Sequence, residues 1–160
     1  MNARADQLQC IIVPISNGNI LLPNAAVADV ITYHPPEPFE DSPGWVLGSI
    51  TWKGWQVPVM SFANLLNLSG KESTKGARMM IVKSFVDSQK MPYLGVLVQG
   101  VPKLKRISKD KLTEQSEKQR LLGVYSNVRV DNQDAIIPDL HRLSQLVAHA
   151  AYGALPITRI

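Results

Sequence analysis

The stretch Trp45-Val46-Leu47-Gly48-Ser49-Ile50-Thr51-Trp52-Lys53-Gly54-Trp55-Gln56-Val57-Pro58-Val59-Met60 decides the fold. Two apolar runs rich in β-branched and aromatic residues flank Lys53-Gly54, which is the pattern of a β-hairpin with a tight turn. Pro58 has no N–H to give to a ladder and weakens the second arm. Just beyond, Ser61 can cap a helical turn in which Phe62, Leu65 and Leu66 recur at helical spacing. The local reading is therefore strand, turn, strand, capped turn.

Toward the N-terminus, Leu8 to Ile15 is nearly all apolar, as a strand covered on both faces would be. Asn17-Gly18-Asn19 can supply the positive φ angles of a hairpin turn, after which Ile20 to Leu22 should pair back. Asn24 can cap a short helical segment from Ala25 to Asp29, followed by a strand from Val30 to Tyr33. Prolines 35, 36, 38 and 43 make the next segment a semi-rigid surface connection.

Toward the C-terminus, strands are expected at Arg78 to Phe85, Tyr93 to Val98, Val101 to Ile107, Val124 to Val130 and Ala135 to Ile137, giving about ten in all. Lys109 to Gln119 is polar throughout and reads as a surface loop with room for a helical turn. Asp139 can cap a final helix whose Leu140, Leu143 and Val147 form one apolar face, ending near Gly153 and Pro156. Gln56 to Leu66 and Asp134 to Leu143 echo each other as strand, cap and Leu-bearing helix, as two similarly built halves would.

With 160 residues, 45% hydrophobic and 19% charged, the chain is long enough to bury about 70% of its unfolded surface as one unit. Residues 1–160 read as a single domain with flexible ends at 1–7 and 155–160. No apolar stretch reaches the ~18 residues of a membrane span, and the polar start is not a secretory signal. Cys10, the only cysteine, fits a buried strand position in a reducing compartment. A cytoplasmic protein is expected.

The net charge of +4 raises the alternative of a basic β-barrel that binds nucleic acid. Lys103, Lys105, Arg106, Lys109 and Lys111 supply the excess, but no aromatic residues alternate with them to stack on bases, so a solvated edge strand and loop is preferred. His34, His141 and His149 have no ligand-spaced partners, and the glycines form no phosphate cradle. Catalytic residues, metal and cofactor are all expected to be absent. Trp52 and Trp55 stand out because a hairpin tip would expose them as interface anchors, with packing between subdomains as the competing use.

At this hairpin the sequence resembles the CheW family, in which a Gly-x-Ile/Val strand leads through an Asn-Leu-Arg-Gly turn to a strand ending Pro-Val-Ile-Asp-Leu. Ile20 to Ile31 is similar to the family's early segment ending Val-x-Glu-Ile. Tyr93-Leu94-Gly95-Val96-Leu97-Val98-Gln99-Gly100-Val101 matches its Gly-(Ile/Leu)-x-Val-Asp-x-Val strand, and Asp134 to Leu143 its closing strand and helix.

The resemblance implies a mainly β protein of two SH3-like five-stranded β-barrel subdomains packed together, with short helical turns and a C-terminal helix. It implies a non-catalytic scaffold that binds the regulatory domain of a CheA-type histidine kinase and the cytoplasmic tip of a chemoreceptor. Residue by residue, it carries receptor contacts to Val27 and Asp29, the turn arginine to Lys53 beside Gly54, and groove positions to Val98 and Val101; Trp52 and Trp55 join them from the hairpin reading. Lys53 for Arg, Ser61 for Asp and Gln99 for an acidic residue depart from the family pattern. They point to a divergent adaptor, with a type IV pilus chemosensory system as the expected setting.

Overall fold

A computed structural model of the chain describes residues 7–67, 73–86, 91–108, 113–114 and 123–153. The order is β1 (Gln7–Ile15), β2 (Gly18–Pro23), a 3-10 turn (Asn24–Ala26), β3 (Val27–Thr32), β4 (Val46–Trp52), β5 (Trp55–Met60), α1 (Phe62–Leu65), β6 (Arg78–Lys83) and β7 (Tyr93–Val98). It continues with β8 (Lys103–Ser108), β9 (Thr113–Glu114), β10 (Val124–Val130), β11 (Gln133–Pro138) and α2 (Leu140–Tyr152).

The strands form two sheets, ordered β8-β1-β2-β11-β10-β9 and β3-β6-β7-β5-β4. Without the two-residue β9, both have the same plan: an edge strand, an antiparallel pair, a parallel junction (β2 with β11, β7 with β5) and a closing hairpin. The second sheet is continuous in sequence, whereas the first takes β1 and β2 from the start of the chain and β8 to β11 from its end. The mainly β, two-unit architecture implied by the resemblance is what the chain adopts.

Alternation along the central strands explains their apolar runs. On β1, Ile11, Val13 and Ile15 enter a large core shared by both sheets, while Cys10 and Ile12 enter a smaller one with Leu21, Val128 and Val130. On β6, Met80 and Val82 face the shared core, and Met79 and Ile81 a third core with Ile50, Trp52 and Val57. Successive side chains point to opposite faces, so a strand lying between two cores has no polar face to show. Cys10 is buried, and burial pushes its thiol pKa up.

Two of the three predicted helix caps form: Ser61 Oγ accepts from the Asn64 amide at 3.0 Å, and Asp139 Oδ1 from the Arg142 amide at 3.0 Å. Leu143, Val147 and Ala148 of α2 are fully buried in the shared core and join the two sheets.

Two expectations are corrected. Asn24 makes no cap, because the helical segment is only the three-residue turn and pairing of β3 with β6 claims the chain from Val27 onward. Thr113 and Glu114, expected in a loop, pair with Arg129 and Val128, while most of that predicted loop lies outside the described residues. The expected flexible ends also lie outside them, except Gln7, which pairs with Ser108. Among the described residues no helix is long and apolar enough to cross a membrane.

Candidate partner-binding surfaces

The β4–β5 hairpin turns at Lys53 and Gly54, whose φ angles of 48° and 83° give the left-handed pair that a two-residue hairpin turn requires. Gly54 adopts this freely. Lys53 does so against its side-chain sterics and leaves its cation exposed at the tip.

Around this tip a cluster forms. Trp52 Nε1 donates to Asp29 Oδ2 at 2.9 Å, and Asp29 Oδ1 accepts from the Val30 amide at 2.8 Å. The Trp52 hydrogen bond leads in holding the Asp29 carboxyl below its ordinary pKa; partial desolvation opposes it, and the Val30 amide and Lys53 charge add to the lowering. Lys53 Nζ lies 5.1 Å from the Trp52 ring centroid, in cation–π range. Tyr93 meets Trp52 and Trp55 edge-on at 4.8 and 6.3 Å.

The tryptophans divide. Trp52 is only 9% exposed and belongs to the core of the second sheet, whereas Trp55 is 40% exposed beside it. Neither packs between the sheets; Trp45 packs at that shared core. Trp52 thus supports the tip from below, and Trp55 with Lys53 forms its exposed surface.

A second surface lies between the sheets. Ile11, Val27, Val30, Arg78, Val101 and Leu104 line an open groove of about 460 Å³. Its walls include β3 and β8, one edge strand from each sheet. A β-bulge between Val27 and Asp29 shifts the register by one residue, which sets Val27 and Val30 on the groove side although their spacing is odd. Asp29 is left on the other face with Trp52. Val27 and Asp29, grouped together by the resemblance, therefore belong to different surfaces.

Val101 and Leu104 are each 60% exposed in the groove, but Val98 is fully buried. Val98 follows Leu94 and Val96 on the face of β7 that enters the shared core, so it supports the groove instead of bordering it. The basic segment proves to be the edge strand β8, where Lys105 pairs with Asp131 at 3.1 Å; Lys109 and Lys111 lie outside the described residues.

The profile of the CheW-like domain matches residues 9–148. The chain belongs to the CheW family. Its structure is similar to that of the scaffolding protein TtCheW from Thermoanaerobacter tengcongensis, with a TM-score of 0.71 and 17% identity, covering 84% of this chain and 85% of that one. No curated protein matches it significantly in sequence. As a CheW-like protein it is an adaptor of chemotaxis signalling, in a family of non-catalytic scaffolds.

Tyr93, Arg78, Val30 and Leu104 are the surface residues that sequence reading missed. Tyr93 opened a predicted strand and carried no separate signal. Arg78 did carry one, because a strand whose Met80 and Val82 share its face rarely begins with a cation unless that end is open to solvent or a partner.

Proposed function

We propose that this adaptor binds the regulatory domain of a CheA-type histidine kinase through the hairpin surface at Lys53, Gly54 and Trp55, supported by Trp52 and Asp29. The groove at Val27 and Val101, floored by Val98, binds the cytoplasmic tip of a chemoreceptor, and the setting is the cytoplasm. The observation that carries this reading is the presence of two separate surfaces on one framework in a CheW-family chain: an aromatic and cationic hairpin tip, and an apolar groove between the sheets. Holding kinase and receptor together raises their effective concentration and lets receptor state bias kinase conformation, with no chemistry needed from the adaptor.

The test is calorimetric titration with the regulatory domain of each CheA-type kinase of the source organism, using wild type and Lys53→Glu. Wild type should bind one kinase in the micromolar range, which also names the flagellar or pilus pathway. Lys53→Glu should bind at least about tenfold more weakly while melting like wild type, because an exposed turn position contributes little to the fold. Equal binding by both proteins would remove Lys53 from the interface, and no binding to any kinase would remove kinase coupling.

A further inference from the structure

Arg78 stands where alternation along β6 should place an apolar residue. Met80 and Val82 fill the shared core from the same face, and on β7 the residue paired with Arg78 is the fully buried Val98. Arg78 is a partly buried residue of the groove wall, in company with Val27, Val30, Val101 and Leu104.

Among the described residues, the groove lining contains no Asp or Glu to offset this charge. Among the described residues the ion pairs are Lys105–Asp131 and Arg129–Asp134, neither involving Arg78, and Asp29 is turned to the other face of β3. A cation partly withdrawn from water into an apolar setting without a carboxylate is poorly compensated in the free protein. A partner that brings an acidic group into the groove would relieve that cost, and the planar guanidinium can take a carboxylate through two parallel hydrogen bonds.

We propose that the groove selects a chemoreceptor segment carrying an Asp or Glu between apolar anchor residues, and that Arg78 is the residue that reads this carboxylate. Val27, Val101 and Leu104 receive the apolar anchors, as in the docking of an amphipathic helix, and Arg78 fixes the register by accepting only a segment with acid at the matching position. This rests on the groove as the receptor surface and adds the chemistry that the receptor must present.

The experiment is calorimetry of the full chain with the soluble cytoplasmic signalling fragment of each chemoreceptor of the source organism. Wild type is compared with Arg78→Met, Arg78→Lys and Val101→Asp, with a thermal melt for each. Arg78→Met keeps the aliphatic stem and removes the charge, so affinity should fall at least about tenfold for the receptor and stay unchanged for the kinase domain. Arg78→Lys should lose several-fold, since a point charge replaces the fork. It decides the matter if Arg78→Met does not fold.

Reversing the matching receptor acid to Arg should abolish binding to wild type and restore it to Arg78→Glu. Wild-type affinity in the folded Arg78 variants, alongside lost binding in Val101→Asp, overturns the carboxylate inference and leaves the groove reading standing. Receptor binding that survives Val101→Asp, or is absent from wild type, overturns both.

Discussion

The two hairpins that close the two sheets occupy the same place in the same strand plan, yet their tips differ. In the second sheet β4 and β5 turn through Lys53-Gly54 above Trp52, Trp55 and Tyr93; in the first, β10 and β11 turn through Asp131-Asn132, held by the ion pairs Lys105–Asp131 and Arg129–Asp134. Both turns use two successive positive φ angles, so the backbone requirement is met in each. Only one tip combines an exposed cation with aromatic surface. The shared scaffold determines where a tip lies, and the side chains placed on it determine which tip can serve as a contact.

The halves differ also in how they close. The second runs from β3 to β7 without interruption and follows its third strand, β5, with the four-residue α1. The first is split between the chain ends and follows its last strand, β11, with the 13-residue α2, which packs on β4 and β5 of the other sheet. The split half is thereby tied to the continuous one through the shared core, and the two should unfold together.

The largest expected effect tests that joint. Leu143→Ala removes a fully buried side chain between the halves and should cost about 2–5 kcal/mol in urea unfolding. A single transition in sheet and near-ultraviolet signals would mean one cooperative unit, while two separated transitions would break the comparison by showing halves that fold independently. Leu140, proposed from sequence as part of the same face, is only partly buried, so its truncation should cost less.

Next comes Gly48→Ala, which probes how the outer edge of β4 is covered; the outer edge of its counterpart β10 is paired with β9 instead. Gly48 has φ 137°, and an added Cβ would strike the backbone carbonyl of Glu37, which pairs with Ser49 and lays the proline-rich segment along the edge of β4. The expected loss is about 1–3 kcal/mol, measured by thermal melting, from backbone strain and steric conflict. A melt equal to wild type would show that the Glu37 bridge is dispensable.

The smallest effect is a pH dependence. Asp29 is held below its ordinary pKa chiefly by the Trp52 indole, so its stabilisation is present above the unfolded carboxylate value and lost as pH falls through the lower folded value. Trp52→Phe keeps a ring in the core and removes the donor. The Asp29 pKa, followed by carboxyl-carbon NMR, should then rise toward the ordinary range, and the acid limb of the stability profile should move to higher pH. An unchanged titration would mean that the Val30 amide and Lys53 hold the carboxylate without the indole, and that the tip is less braced than its geometry suggests.

The Lys53-Gly54 hairpin, the Ser61 and Asp139 caps, the doubly covered β1 and the capped echo at Asp134 to Leu143 were all legible in the sequence. Each depends on residues within a few positions of one another, where spacing and side-chain type settle the local conformation. The Lys103 to Arg106 stretch was likewise readable as a solvated edge strand. Sequence also carried the family, because four segments matched its pattern in order.

Tertiary structure alone decided how these pieces meet. Nothing local says that β1 and β2 complete a sheet begun by β8 to β11, that Trp52 turns inward while Trp55 stays out, or that Val98 lies beneath the groove and Val101 in its wall. Nor could spacing reveal the bulge that separates Val27 from Asp29, since one extra residue in a strand reverses which face every later side chain takes. Facing and burial depend on strands far apart in sequence, whereas turns and caps depend on neighbours, so the elements could be read directly and the surfaces emerged only from their assembly.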